Sequence, residues 1–226
     1  MKNKLQFLFL IAGLLVFQAR EVNAQRIMGA LIGGVNATQV DGDEAFGYHK
    51  FGLNVGAAAI IPIEGNWSIT LENVYSEKGS HQRAQFKDSL DGSYDLKINY
   101  LDVPLLVQYT DKGIVTFGLG GSWGGMVKIW EQRNGNEITS TTLTSGIYKR
   151  SDLNFLMNVK FRLVQKLHFD VRYGYSLRPI ATREVVDSKT GTPNIRSQYN
   201  GMFTFRLYYI FNEKISERVR TGQKAK

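Results

Sequence analysis

The sequence predicts an all-β protein: an eight-stranded antiparallel up-and-down transmembrane β-barrel with short periplasmic turns and long outer loops. Three observations lead there. Apolar and polar side chains alternate with period two through most of the chain, the signature of strands with two different faces. The links between these runs are short and long by turns. The apolar phase of the runs between Leu101 and Phe211 contains no Asp, Glu, Lys or Arg.

Composition narrows the field first. The 226 residues include 23 Gly, 4 Pro and no Cys, with a net charge of +8. Without Cys there is no disulfide scaffold and no thiolate metal site. An aromatic fraction of 12% is too high for a disordered chain. No run of 18 apolar residues exists, which excludes spanning helices. Lys2 and Lys4 precede an apolar stretch over residues 5–17, and Val22-Asn23-Ala24 forms a small-residue cleavage site before Gln25. Residues 1–24 therefore read as a cleaved secretory signal, residues 25–211 as the barrel, and residues 212–226 as a basic periplasmic tail. An exported chain has little use for a nucleic-acid partner, and none is expected.

The strands follow in order. The first, over residues 28–37, is Gly-rich and alternates weakly. In the second, Phe51, Leu53, Val55, Ala57, Ala59 and Ile61 share a face. In the third, Trp67, Ile69, Leu71 and Tyr75 oppose Ser68, Thr70, Glu72 and Ser76. In the fourth, Leu101, Val103, Leu105, Val107 and Tyr109 oppose Asp102, Pro104, Leu106 and Gln108. The fifth sets Phe117, Leu119, Trp123, Val127 and Ile129 against Thr116, Gly118, Gly120, Gly124, Met126 and Lys128. The sixth sets Leu153, Phe155, Met157, Val159 and Phe161 against Asp152, Asn154, Lys160 and Arg162. The seventh sets Phe169, Val171, Tyr173 and Tyr175 against His168, Asp170 and Arg172. The eighth sets Phe203, Phe205, Leu207, Tyr209 and Phe211 against Thr204, Arg206, Tyr208 and Ile210. Several runs are long enough to cross a bilayer at a tilt, which takes about 9–11 residues.

Alternation alone does not separate a soluble barrel, apolar inside, from a membrane barrel, apolar outside. Connection lengths do. Residues 62–66, 111–113 and 165–166 are short links, whereas residues 38–50, 80–97, 132–149 and 183–198 are long ones. Sorting short turns to one rim and long loops to the other is an outer-membrane feature. The charge-free apolar phase agrees, because a charge facing lipid at the midplane costs about 2–4 kcal/mol. Aromatic residues also fall in two belts. Trp67, Tyr109, Phe169, Tyr209 and Phe211 lie near the short-turn rim, and Trp123 and Tyr173 lie toward the long-loop rim, as girdles at two interfaces.

Several segments resemble the bacteroidete-type outer-membrane β-barrel family that includes PorT-like proteins. They are residues 31–36 (LIGGVN), 51–56 (FGLNVG), Trp67-Ser68 leading to Glu72, residues 75–79 (YSEKG), 100–106 (YLDVPLL) and 172–177 (RYGYSL). Their order and spacing cover nearly the whole mature chain. The resemblance implies an exported barrel in a bacterial outer membrane, and for some members service in a protein-secretion and gliding machinery. The chain departs from the simple pattern at its C-terminus, where Phe211 is followed by a tail rich in bases.

Eight strands leave an interior that side chains can fill. Charges there must pair, since isolated buried charges are expensive. The inward phase predicts a lumen network of Glu72, Asp102, Lys160, Arg162, Asp170, Arg172 and Arg206, with a surplus of positive charge. Pro104, inside a strand, predicts a bulge. Gly118, Gly120 and Gly124 face inward and leave room for bulky neighbours.

Catalytic chemistry finds little support. Three His and no HExxH, GxSxG or phosphate-binding glycine loop are present. Asp41, Asp43, Glu44, His49 and His81 cluster in the first two loops, where acidic residues most often form turns. No enzyme, cofactor or metal site is expected. The expected partners are outer-membrane lipids, a ligand of the long loops, and a periplasmic or secretion-machinery protein contacting Lys214, Arg218, Arg220, Lys224 and Lys226. The role expected is structural or binding. A PorT-like secretion component, a small anion-preferring pore and a secreted soluble carrier are the alternatives.

Overall fold

The computed structural model describes residues 27–43, 45–83, 92–186 and 193–212. Residues 1–24, expected to be a signal, Glu44 and the tail residues Lys214, Arg218, Arg220, Lys224 and Lys226 lie outside the described residues.

Among the described residues ten strands form: β1 (Met28–Asp41), β2 (Lys50–Pro62), β3 (Trp67–Gln82), β4 (Tyr94–Asp111), β5 (Val115–Arg133), β6 (Asn136–Glu137), β7 (Ser151–Val164), β8 (Leu167–Ser176), β9 (Ala181–Val186) and β10 (Pro193–Ile210). Eight of them, all but β6 and β9, pair in chain order, and β10 pairs back onto β1 to close the ring. All pairings are antiparallel. β6 folds onto the end of β5, and β9 pairs with the start of β10. Two of the long loops thus carry strands of their own.

The short rim is made by tight turns. Lys112 (φ 47°) and Gly113 (φ 68°) both sit in the left-handed region between Asp111 and Ile114. Two central residues with positive φ match the right-handed twist of the flanking strands.

Across the middle of the ring, Leu105, Val107, Phe117, Leu119, Met157 and Phe205 point outward and are exposed. Thr70, Glu72, Gln108, Asn158, Asp170 and Arg206 point inward and are buried. Apolar outside and polar inside is the arrangement of a barrel in lipid.

Toward the long-loop rim the pattern inverts on the same strand. On β4 the inward positions become Tyr94, Leu96, Ile98 and Tyr100, all buried, while Asp95 and Lys97 take outward positions. With Val40, Ala45, Met126, Tyr148, Ile180 and Ala181 these residues form one apolar cluster. The reversal follows from solvent. Where lipid surrounds the ring, polar groups turn in; where water surrounds it, apolar groups do.

A bulge accompanies the switch. Asn99 stands opposite Lys128 but Tyr100 stands opposite Met126, so Val127 is the extra residue. Beyond it the facing of β5 flips. Lys128 is exposed, Ile129 packs on the inner apolar cluster and Glu131 is buried. Strict alternation places Lys128 inside and Ile129 outside, and the bulge corrects both, because one inserted residue moves every later side chain to the opposite face.

The bulge expected at Pro104 is not there. Pairing with β5 runs through Pro104↔Ser122 without a shift. The cost appears on the other edge, where the β3–β4 ladder passes from Leu71↔Leu105 to Val74↔Asp102 and omits Pro104 and Val103 in the same register. A missing amide hydrogen is absorbed by a gap rather than by an extra residue.

This geometry sets the lipid boundary on β5. Leu119→Arg, mid-strand, is expected to lower folding stability in bilayers by about 2–4 kcal/mol, and Val127→Arg, at the edge, by about 0–1 kcal/mol. Denaturant titration in lipid vesicles measures both, and equal costs would place the boundary elsewhere.

Candidate functional site in the lumen and its cap

Inward side chains from opposite walls meet in the lumen because the ring is narrow. Nearest the short-turn half, Glu72 on β3 accepts from Arg172 at 2.6 and 3.0 Å and from Arg206 at 3.0 Å. The Tyr208 hydroxyl donates to the same carboxylate. Asp170 accepts from Arg206 at 2.6 and 3.0 Å and from the Asn158 amide. Arg206 thus joins the two acids. Its planar guanidinium can serve two carboxylates at once in a way a lysine cannot. Lys160 places its ammonium over the Tyr208 ring, 4.1 Å from the centroid.

A second group lies toward the long loops. Lys78 bridges Asp102 and Asp152, each at 3.2 Å, and lies over the Tyr100 ring. Asp152 also accepts from Ser176 at 2.7 Å and Asn200 at 2.9 Å. The structure therefore distributes the seven predicted charges over separate places. Glu72, Asp170, Arg172 and Arg206 contact one another, with Lys160 alongside. Asp102 belongs with Lys78 and Asp152, which sequence reasoning left out of the set. Arg162 is half-buried at the short-turn mouth with Lys160 and His168. Gly124 gives Asp102 its room: a Cβ there would lie 2.1 Å from the Asp102 carboxylate.

These contacts close the lumen. Between the two groups the interior holds a cavity of about 10 Å³, no more than one water requires.

Above the lipid-facing band, the ends of β4 and β5 and the long loops form a cap. Glu131, buried on β5, accepts from both Arg183 nitrogens at 2.7 and 2.8 Å, from Thr141 at 2.5 Å and from Tyr94 at 2.9 Å. Arg183 also lies 4.7 Å over the Tyr148 ring. One carboxylate therefore ties together β4, β5, the third long loop and β9. Burial pushes the Glu131 carboxyl up, but the bonds from Arg183 and Thr141 outweigh it and hold the group below the usual range. Asp43 is different. Buried beside this core, it is pushed up to about 7 by desolvation, against bonds from Ser80 and the Ala45 amide.

Of the predicted belt, Trp67 and Tyr109 pack edge-on at 5.1 Å, and Tyr209 and Phe211 at 5.5 Å. Tyr173 packs against Phe203 at 5.1 Å, Phe169 opposes Phe161 and Leu207 across neighbouring strands, and Trp123 is exposed on β5. The acids and His of the first loops do not converge. His81 meets Asp95 at 3.1 Å, Asp95 also pairs with Lys50, and Asp41 accepts from Gln39. Among the described residues no group of three or more His, Asp and Glu side chains is arranged to hold a metal ion.

Residues 23–182 match a family described as outer membrane protein beta-barrel domain. No curated protein matches the chain. Among solved structures it is similar to Neisserial surface protein A, at 10% identity, covering 81% of this chain and 97% of that one, with a TM-score of 0.47. It is also similar to Ail, the attachment invasion locus protein of Yersinia pestis, at 15% identity, covering 82% and 99%, with a TM-score of 0.46. The outer membrane protease OmpT of Escherichia coli aligns at 8% identity over 83% and 98%, with a TM-score of 0.35.

Removing one acid tests the lumen contacts. Glu72→Gln strips charge from the acceptor of two buried guanidinium groups and is expected to cost about 3–5 kcal/mol. Denaturant unfolding in vesicles measures it, and a loss under about 1 kcal/mol would contradict the pairing described.

Asp43 gives a test by pH. Its folded pKa lies above its unfolded value, so the folded loop binds the proton more tightly. Stability of the first loop is highest at low pH and falls as pH rises toward about 7. Asp43→Asn should slow amide exchange over residues 41–50 at pH 8 and leave it unchanged near pH 4. An equal effect at both pH values would refute the assignment.

Proposed function

The chain belongs to the outer membrane protein beta-barrel domain family and lies in the bacterial outer membrane, and from that premise we propose that it is a sealed barrel presenting a stiff binding cap at the cell surface. The observation that carries this reading is the apolar core above the lipid-facing band. Tight turns at both rims would suffice for a barrel that only filled membrane. Here strands β4 and β5 continue past the band, and two loops contribute Tyr148, Ile180 and Ala181 to a shared core. Loops ordered in advance bind a partner at lower entropic cost than mobile ones.

The long loops face outward and the short turns face the periplasm in this reading. Exposed Lys128, Arg150 and Arg178 just beyond the apolar band support it, being placed for contact with anionic headgroups. A pore is disfavoured by the 10 Å³ interior cavity. A soluble carrier is disfavoured by the polar lumen and apolar exterior. The narrower role, a PorT-like component of a protein-secretion machinery, rests on the sequence segments that resemble that family and on the basic tail beyond residue 212. Cells lacking the gene that still export their cargo normally would end that role and leave the cap reading intact.

The chain has no Cys, so single-Cys variants report orientation without background. Thr144→Cys in the third long loop should react with a membrane-impermeant maleimide on intact cells. Lys112→Cys in the short turn should react only after lysis. Reactivity the other way round would overturn the orientation, and stepwise conductance across planar bilayers would overturn the seal.

A further inference from the structure

The short-turn mouth of the lumen holds a cavity of about 100 Å³. Among the described residues its charged lining is basic: Lys160, Arg162 and His168, with Gln108 and Thr116 beside them. The charge balance of this half of the lumen explains why that matters. Its two acids, Glu72 and Asp170, are already engaged by Arg172, Arg206, Tyr208 and Asn158. Lys160 has a buried ammonium over the face of the Tyr208 ring, and it feels the charges of Asp170 and Glu72 without hydrogen-bonding to either. Asp170 stands opposite it across the β7–β8 ladder but turns its oxygens to Arg206 and Asn158. A buried ammonium whose neighbouring acids are bonded to other groups, and which also faces the Arg206 and Arg172 charges, is under-compensated. Gln108 adds a second donor. Its carbonyl accepts from Thr70 at 2.8 Å, while its buried amide nitrogen has no hydrogen-bond partner.

We propose that this mouth is a binding site for one small oxyanion of the phosphate or sulfate class, held by the Lys160 ammonium and the Gln108 amide within a basic rim. The volume suits a single tetrahedral anion. The site opens at the short-turn rim, inside the barrel wall, so its ligand arrives from the aqueous phase and not from the lipid side. The inference does not depend on which way the barrel faces.

Thr116 provides the means to test it. It stands directly opposite Lys160 across the β5–β7 ladder, with its hydroxyl 2.9 Å from that of Thr110. The full mature chain, folded in detergent, is titrated with sodium phosphate at constant ionic strength against sodium chloride. The readout is the temperature at which the folded, fast-migrating gel band is lost. A ligand that binds only the folded state raises that temperature in a concentration-dependent way. Phosphate should raise it saturably and chloride should not. Lys160→Met should abolish the phosphate response. Thr116→Glu, which supplies a carboxylate in place of the anion, should abolish the response and raise the unfolding temperature without phosphate. The proposal is overturned if phosphate and chloride act alike, or if either variant keeps the wild-type phosphate response. Should Lys160→Met fail to fold, Thr116→Glu decides alone.

Discussion

Closure of the ring is the constraint from which the rest follows. Lipid offers no partner for a strand's amide and carbonyl groups, so a sheet within it must have no edge. β1 and β10 remove the edge by pairing from Ala30↔Ile210 to Asp41↔Tyr199. An eight-stranded ring is narrow, and narrowness then dictates the lumen. Side chains from opposite walls must touch, little water fits between them, and every inward charge needs a charged or hydrogen-bonding neighbour. Arg206 shows the outcome: its guanidinium reaches Asp170 on the neighbouring β8 and Glu72 across the lumen on β3. Ionic contacts of this kind add less to stability than their number suggests, since desolvation offsets most of the attraction. Their effect is specificity, because a register slip in any one strand would strand several charges at once.

The same strands answer to two solvents. β4 runs from Tyr94 to Asp111 without interruption, yet its inner face changes from apolar to polar at Tyr100 and Asp102. The bulge at Val127 sits at that level and lets β5 turn Ile129 and Glu131 inward where β4 presents Leu96 and Ile98. Above the switch the molecule is built like a soluble domain, with an apolar core and an ion pair, Glu131–Arg183, whose carboxylate is buried. The long loops are thereby joined to the ring through a shared core, which is the basis of the surface role we propose.

The strands within lipid were the most legible part of the sequence, because both faces there obey one rule over many residues. Leu105, Phe117, Met157 and Phe205 are exposed on the phase that alternation assigns them. Past the lipid boundary the rule reverses, and nothing in the spacing announces it. Glu131 was missed for that reason: a bulge carries no residue signature in β5, so counting by twos put its neighbours on the wrong faces. Lys78 and Asp152 lie close to the switch, where an inward charge and a water-facing charge look alike in sequence. Pro104 was legible as a break in pairing but not as to its form, since a gap and a bulge both satisfy a residue without an amide hydrogen.

The most direct test of a sealed barrel with its cap in water is a spin-label scan of β4 in lipid vesicles, one Cys at a time from Asp95 to Tyr109, with oxygen as the lipid-side relaxant and a nickel chelate as the aqueous one. Positions 101, 103, 105, 107 and 109 are expected to respond to oxygen, positions 95 and 97 to nickel, and the inward positions 102 and 106 weakly to both. Strong nickel accessibility at 102 and 106 would mean a water-filled channel, and oxygen accessibility continuing through 97 and 95 would mean that the strand never leaves the lipid. Either result would contradict a sealed barrel carrying its cap in water.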